Sequence, residues 1–121
     1  MSNVAMTMEK LHQYLPKSSI LGSREKTQQI IHQIVTDSRT ISHGDFFVAL
    51  SGDKFDGHNF LEEVQSKGAL GSLVSQQEKA PQDFPILIVS DTKEALGTIA
   101  HGWRKELGTK LAVVTGSNGK T

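Results

Sequence analysis

The 121-residue sequence predicts an α/β fold, and three observations carry the prediction. Short apolar runs of strand composition alternate with patterns of helical spacing. Residues 86–114 follow the order strand, helix, strand, which is typical of a right-handed parallel crossover. An apolar run at 111–114 leads directly into Thr-Gly-Ser-Asn-Gly-Lys-Thr at 115–121, the composition of a phosphate-binding loop after a strand.

The first third of the chain predicts one helix and two strands. Met8, Leu11 and Leu15 recur at helical spacing before Pro16, which predicts a short helix over 7–15. Residues 17–29 are polar and loop-like, with a short strand at 20–21. A β-branched run follows and predicts a strand that ends at Thr36; its members are Ile30, Ile31, Ile34 and Val35.

The middle third predicts a strand, a loop, a helix and a strand. Residues 46–50 form an apolar run typical of a strand buried on both faces in the middle of a sheet. Residues 51–59 have loop composition, and Asn59 is the expected cap of a helix over 60–67 that ends at Gly68. A strand is expected at 69–75. The predicted core residues here are Phe46, Phe47, Val48, Leu50, Phe60, Leu61 and Val64.

The last third has the strongest helix signal. Pro85 opens a strand over 86–89, and Asp91 with Glu94 three residues later has the spacing of a capping box. A helix of about four turns is expected to follow, with Gly108 after its end. Its apolar face comprises Ala95, Leu96, Ile99, Ala100, Trp103 and Leu107.

Composition excludes several classes of function. The net charge is zero and basic residues do not cluster, so neither nucleic acid nor an anionic membrane is an expected partner. There is no cysteine and no apolar stretch of membrane-spanning length, which favours a soluble cytoplasmic protein. The five histidines lack metal-ligand spacing and are expected on the surface or in turns; His58 has the alternative of bonding its own loop.

The loop at 115–121 predicts an ATP site, against the alternative of a plain glycine-rich turn. Its glycines let successive N–H groups point at one anion, and Lys120 adds positive charge at the outer phosphates. The Thr121 hydroxyl would bind Mg²⁺. The common pattern G-x-x-x-x-G-K-[ST] requires glycine where this chain has Val114, so the match is to the shorter G-x-x-G-K-T form. The predicted ATP-binding residues are Gly116, Ser117, Asn118, Gly119, Lys120 and Thr121.

The helix that normally follows such a loop would begin where this sequence stops. We therefore expect a fragment cut within a nucleotide site, without catalytic residues of its own and inactive alone.

An ordered set of motifs resembles the N-terminal part of the Mur ligases, cytoplasmic ATP-dependent enzymes that build the peptidoglycan peptide on a UDP-N-acetylmuramoyl carrier. The resemblance runs from about residue 34 to 121. Its motifs are Asp37-Ser38-Arg39, residues 44–50, Gly52, Asp56-Gly57-His58, Phe60, Gly68-Ala69 and residues 115–121.

Residues 52–60 and 91–96 most resemble the family members that add D-alanyl-D-alanine to the UDP-linked tripeptide. The resemblance implies a ligase that forms an acyl phosphate with ATP and Mg²⁺, and roles in cell wall biogenesis, cell shape, the cell cycle and cell division. The members that add the third residue share much of the pattern and stay open as an alternative. A non-catalytic module that binds a uridine nucleotide is a second alternative, and an unrelated nucleotide switch a third.

The resemblance also implies a domain boundary and a substrate site. Residues 1–90 would form a small mixed-sheet domain that binds the UDP end of the substrate, and 91–121 would begin the ATP-binding central domain. The UDP contacts would fall on Thr36, Ser38, Asp53, Lys54 and Phe55. The alternatives are a plain turn for residues 37–39 and a core anchor for Phe55. The apolar face of residues 95–107 should then fold back on the first domain or self-associate with a second chain.

Overall fold

A computed structural model describes residues 6–52, 56–107 and 113–114, with side chains described as far as residue 102 and not at 113–114. Within these residues the chain forms a six-stranded mixed sheet with helices on both faces. The predicted α/β class is therefore confirmed. The spatial strand order is β1-β5-β4-β3-β2-β6, and the strands are β1 (Ser19–Leu21), β2 (Ile34–Val35), β3 (Phe46–Val48), β4 (Gly71–Val74), β5 (Ile86–Ile88) and β6 (Val113–Val114).

Only β1 runs against the others. It pairs antiparallel with β5, whereas β5, β4, β3, β2 and β6 form a continuous parallel set. The helices are α1 (Met8–Tyr14), α2 (Arg24–Thr27), α3 (Leu61–Ser66) and α4 (Thr92–Leu107). Three short 3-10 helices join these elements at Ser38–Thr40, Gly57–Phe60 and Gln77–Lys79.

Each face of the sheet has its own apolar core because successive strand residues point to opposite sides. In β3, Phe46 and Val48 join the core under α1 and α4, while Phe47 joins the core under α3. All three side chains are fully buried, and β3 lies inside the sheet, as the sequence predicted. Leu61 and Val64 of α3 are buried as expected, whereas Leu50 and Phe60 are only half-buried.

The apolar face of α4 folds back on the first ninety residues. Ala95 and Ile99 are buried in the same core as Met8 and Leu11 of α1, and Leu96 packs against that core. Of the two expected outcomes for this face, folding back is therefore the one observed for Leu96 and Ile99. The Trp103 side chain lies outside the described residues.

The start of α4 is fixed by two sets of hydrogen bonds. Asp91 Oδ1 accepts from the N–H groups of Lys93 and Glu94 at 3.0 and 3.1 Å, which confirms the predicted cap. The Thr92 hydroxyl is buried and donates to the Ala49 carbonyl at 2.8 Å. The first turn of α4 is therefore attached to the end of β3.

Three local predictions were wrong. The expected strand over 30–36 is only Ile34–Val35, and Ile30 is 67% exposed, because β-branching favours a strand without deciding which residues find a pairing partner. The polar stretch 17–29 contains α2, which Ser23 caps by accepting from the Lys26 N–H. Asn59 does not cap α3, whose N-cap position is Phe60; instead, Asp56 caps a 3-10 turn that runs into α3.

The expected domain boundary after residue 90 stays a prediction, although α4 packs against α1 and β6 pairs with β2. Gly108 lies outside the described residues. Among the residues described, no helix is long and apolar enough to cross a membrane.

Candidate functional site at the carboxyl edge of the sheet

The parallel strands end at one edge of the sheet, where open α/β folds place their ligands. From β2 to β5 the chain moves steadily in one direction across the sheet, and α4 then returns it to β6 on the far side of β2. The strand order therefore reverses between β2 and β6. Residues 36–40 follow β2 at this reversal, and the glycine-rich segment 115–121 follows β6 in sequence.

The turn after β2 is built by an exposed ion pair. Asp37 Oδ1 accepts from the Arg39 N–H at 2.9 Å and from Arg39 Nε at 3.0 Å, and Oδ2 accepts from Nη2 at 2.8 Å. The side-chain hydrogen bond from Arg39 is the main cause that lowers the pKa of Asp37. The plain-turn alternative thus describes Asp37 and Arg39 well, since the carboxylate of one accepts the hydrogen bonds of the other.

Ser38, between them, is different. It is only 5% exposed, and its hydroxyl forms no hydrogen bond with any described residue. Buried hydroxyls normally have a partner, so a free one needs an explanation such as water or a ligand. Thr36 is also buried, at 7% exposed, and its polar groups are engaged. Of the two predicted contacts that the structure describes, Ser38 is therefore the one whose geometry leaves a hydrogen bond to be made.

Lys67 brings a positive charge to this turn, and the sequence analysis missed it. Its ammonium donates to the Ser38 carbonyl at 3.1 Å and to Glu63 Oε2 at 3.0 Å. The Glu63–Lys67 spacing of four on a helix was a visible signal for the ion pair. The contact with Ser38 joins groups 29 residues apart, so local sequence spacing could not indicate it.

The loop after β3 is closed at its base. Ser51 and Asp56 form an isolated antiparallel bridge, the Ser51 hydroxyl donates to Asp56 Oδ1 at 3.1 Å, and the Gly57 N–H donates to the Leu50 carbonyl at 2.7 Å. A Cβ atom on Gly57 would lie 2.9 Å from the Leu50 nitrogen, so this approach requires glycine. The predicted contacts Asp53, Lys54 and Phe55 lie outside the described residues.

His58 ties this loop to the end of β4. The imidazole is 2% exposed, and its Nε2 accepts from the Ser75 N–H at 2.9 Å and the Gln76 N–H at 3.2 Å. Since two N–H groups point at Nε2, that nitrogen carries no proton, and Nδ1 is the donor to Asp56 Oδ1 at 2.7 Å. The expected surface position was wrong, whereas the alternative role in fixing the loop is confirmed.

Asp56 accepts hydrogen bonds from several elements at once. Besides Ser51 and His58, it accepts from Lys79 Nζ at 3.1 Å and from Gln76 Nε2 at 3.3 Å. Burial alone would raise the pKa of Asp56, but the hydrogen bonds from His58, Lys79 and Ser51 outweigh it and hold the pKa well below the ordinary range. The carboxylate is therefore charged at neutral pH. Sequence analysis missed Gln76 and Lys79 because they reach Asp56 only through the fold.

The structure thus brings the end of β2 and the ends of β3 and β4 to one edge, with Ser38 at the first and the His58 network joining the other two. The predicted ATP residues 116–121, with Thr121 as the proposed Mg²⁺ ligand, lie outside the described residues. Among those described, no group of three His, Cys, Asp or Glu side chains could hold a metal ion. A cavity of about 380 Å³ beside Leu21, Pro81 and Pro85 lies at the opposite edge and includes none of the predicted contacts.

This open α/β domain, with its loops gathered where parallel strands end, matches a known class of ligase. The family model described as "Mur ligase family, catalytic domain" matches residues 30–104, and the chain belongs to that family. The UDP-N-acetylmuramoyl-tripeptide--D-alanyl-D-alanine ligase of Bacillus subtilis is 36% identical over 102 residues, which are 84% of this chain and 22% of that protein.

A second group of relatives has a different printed activity. The UDP-N-acetylmuramoyl-L-alanyl-D-glutamate--2,6-diaminopimelate ligase of Aquifex aeolicus is 38% identical over 90 residues, which are 73% of this chain and 18% of that protein. The chain spans about a fifth of the length of the curated relatives it matches.

Solved structures agree with the fold. Crystal structure I of MurF from Acinetobacter baumannii matches with a TM-score of 0.70 at 31% identity, over 85% of this chain and 22% of that one. MurF ligase from Thermotoga maritima, solved in complex with ADP, matches with a TM-score of 0.52 at 30% identity, over 63% of this chain and 17% of that one.

Proposed function

We propose that this chain belongs to an ATP-dependent ligase that joins D-alanyl-D-alanine to UDP-N-acetylmuramoyl-tripeptide during peptidoglycan synthesis. The relative from Bacillus subtilis carries that activity in its name, and the same resemblance was visible in residues 52–60 and 91–96. Within the ligase, the described domain would bind the UDP end of the substrate. Thr36, Ser38, Asp53, Lys54 and Phe55 remain the proposed contacts.

The Ser38 hydroxyl, which has no partner among the residues that the structure describes, is the observation that carries the site. It lies where the strand order reverses, it is buried, and it has a hydrogen bond to give or accept. A phosphate or uracil oxygen would satisfy it. Lys67, whose ammonium donates to the Ser38 carbonyl and pairs with Glu63 Oε2, holds the backbone of this turn in place beside the hydroxyl.

ATP would be the energy source for the proposed reaction. The substrate carboxylate would take the terminal phosphoryl group of ATP, and the amine of D-alanyl-D-alanine would then displace phosphate to form the amide. The sequence of 115–121 supports this assignment, as does the ADP complex of the Thermotoga maritima relative. In this scheme Gly116, Gly119 and Lys120 would stabilise charge on the transferring group, and Mg²⁺ at Thr121 would supply further neutralisation.

The second candidate is the ligase that adds the third residue to a UDP-N-acetylmuramoyl-dipeptide. It is favoured by the 38% identity to the diaminopimelate ligase of Aquifex aeolicus, which lies within the 36–42% found for relatives of the first group. A ligase assay on the whole protein separates the two. Amide formation from UDP-N-acetylmuramoyl-tripeptide and D-alanyl-D-alanine supports the first; amide formation only from the dipeptide and diaminopimelate supports the second.

The binding site is tested by titrating the chain with the UDP-N-acetylmuramoyl substrate and, separately, with Mg-ATP, while amide NMR shifts are followed. We expect shifts at Ser38 and Lys54 with the UDP compound. Ser38→Ala should weaken binding, whereas Ser66→Ala, which removes an exposed hydroxyl from α3, should not. Equal affinity for wild type and Ser38→Ala would remove Ser38 from the site, and no response of wild type would contradict the proposed role of the domain.

We expect the 121-residue chain to lack ligase activity by itself, because it matches only about a fifth of each relative. A sensitive phosphate-release assay with all three substrates checks this. Cytoplasmic location and self-association stay predictions, and analytical ultracentrifugation measures the latter.

A further inference from the structure

His58 is more elaborately bonded than a packing residue needs to be. Both ring nitrogens are used, Nδ1 toward the loop after β3 and Nε2 toward the loop after β4. A buried apolar side chain could fill the same volume without the cost of removing an imidazole from water. Polar networks of this kind fix geometry, which an apolar contact does only loosely.

The network fixes one particular distance, that between two strand ends at the carboxyl edge. Asp56 closes the loop after β3 through its bridge with Ser51. The N–H groups of Ser75 and Gln76 belong to the first two residues of the loop after β4. One imidazole ring spans the two. Lys79 and Gln76 then hold Asp56 from the β4 side.

We propose that His58 is a positioning residue for the UDP-substrate site: it contacts no ligand itself but holds the base of the loop after β3 against the end of β4. The inference rests on the proposed function of the domain. It predicts that the affinity for the UDP compound depends on His58 even where every variant is fully folded. A His58 that serves stability alone would leave that affinity unchanged.

Two substitutions separate the functions of the two ring nitrogens. His58→Gln can place an amide oxygen near the position of Nε2 and so keep an acceptor for Ser75 and Gln76. His58→Asn can place an amide donor near the position of Nδ1, but leaves those two N–H groups without an acceptor. Thr27→Val is the matched control, because Thr27 is also buried and its hydroxyl donates to Glu9 in α1, away from the carboxyl edge.

The experiment is a calorimetric titration of all four proteins with the UDP-N-acetylmuramoyl substrate, at a temperature where circular dichroism shows each to be folded. Amide hydrogen exchange at Ser75 and Gln76 is measured in parallel. We expect His58→Asn to bind roughly tenfold more weakly, His58→Gln to recover much of the loss, and the control to match wild type. Exchange at the two amides should accelerate only in His58→Asn.

The possible failures are distinguishable. If wild type binds the UDP compound and both His58 variants bind it as tightly as wild type does, the positioning role is overturned while the proposed function stands. If His58→Asn and Thr27→Val weaken binding to the same extent, the effect is one of general stability and the positioning role is likewise overturned. If wild type does not bind, the proposed function of the domain fails, and the positioning role that rests on it fails too.

Discussion

The turn after β2 and the loop after β3 lie at the same edge of the sheet but satisfy their polar groups in opposite ways. In the loop, the backbone N–H and both ring nitrogens of His58 have partners, and Asp56 accepts from three different segments. In the turn, the ion pair of Asp37 and Arg39 faces solvent, and the buried hydroxyl beside it has no partner among the described residues. The hydrogen bonds of His58 and Asp56 join two loops to each other, whereas the Ser38 hydroxyl keeps hydrogen-bonding capacity for a water or a ligand.

The largest loss of stability should come from Asp56, which lies at the centre of the hydrogen bonds around His58. Asp56→Ala removes the acceptor of the His58 side chain and backbone and leaves Lys79 with only its 3.5 Å contact to Asn59 Oδ1. Because the donors from His58 are buried, we expect a loss of about 3 kcal/mol in the free energy of unfolding. Urea denaturation measures it. A loss below about 1 kcal/mol would mean that water replaces the carboxylate. The hydrogen bonds of the loop after β3 would then contribute no more to stability than those of the turn after β2.

Next comes the close approach beneath the same loop. In Gly57→Ala the new Cβ would lie 3.0 Å from Ala49 Cα as well as 2.9 Å from the Leu50 nitrogen, and neither is a flexible side chain. We expect a loss of about 1–3 kcal/mol, measured by urea denaturation. Gly97→Ala is the control, because a Cβ there meets nothing within 4 Å and alanine favours a helix. A stability of Gly57→Ala equal to that of wild type would show that the loop base moves easily.

The two regions should also differ in acid. Asp56 has a folded pKa depressed below its ordinary value of 3.8, so its contribution is complete above that value and is lost as pH falls below it. Asp37 is shifted in the same direction, but its partner Arg39 is 82% exposed and the pair is screened by solvent. We expect wild type and Asp37→Asn to lose stability in parallel below about pH 4, and Asp56→Asn to lose less. Denaturant midpoints between pH 7 and pH 2.5 provide the measurement. If the midpoint falls equally with pH in all three proteins, Asp56 is not the source of the acid sensitivity.

Much of the fold was predictable because apolar periodicity reports burial. Phe46 and Phe47 alternate between the two cores, and Asp91 caps α4, as their local patterns indicated. The errors occurred where long-range pairing decides the outcome. Ile30 has the same branched side chain as Ile34, yet only Ile34 has neighbouring strands to pair with. Nothing local distinguishes the two.

The candidate site was less predictable for a related reason. Ser38 was predicted from its motif and stays a prediction, but Lys67, Gln76 and Lys79 reach the candidate site from 18 to 29 residues away along the chain. The burial of His58 follows from the same long-range contacts. A motif indicates which residues matter to a family, whereas partners that only the folded chain brings together leave no local pattern.

A smaller effect is expected in the exposed turn. Asp37→Ala removes the ion pair with Arg39 and the acceptor of the Arg39 N–H, both of which water can replace. We expect a loss of about 1 kcal/mol or less in thermal or urea unfolding. A loss equal to that of Asp56→Ala would show that the two regions do not differ as their hydrogen bonding indicates.

The smallest change in stability should come from Ser38→Ala. The Ser38 hydroxyl makes no hydrogen bond to the described part of the chain, so the unfolding free energy should change by less than about 0.5 kcal/mol in either direction. Denaturation of the ligand-free protein checks this, separately from the binding test above. A large loss would reveal a partner for Ser38 within the protein and would undo the contrast between the two regions.

The antiparallel edge strand has a consequence for the timing of synthesis. Ser19 pairs with Ile88, so β1, which precedes the other described strands in the chain, has its partner 88 − 19 = 69 residues later. At roughly 5–20 residues per second, β1 must wait about 3–14 s before β5 has been translated. During that interval the nascent chain carries a strand with nothing to pair with, and a chaperone that covers the first twenty or so residues would act on this protein earlier than on one whose first strands form a hairpin.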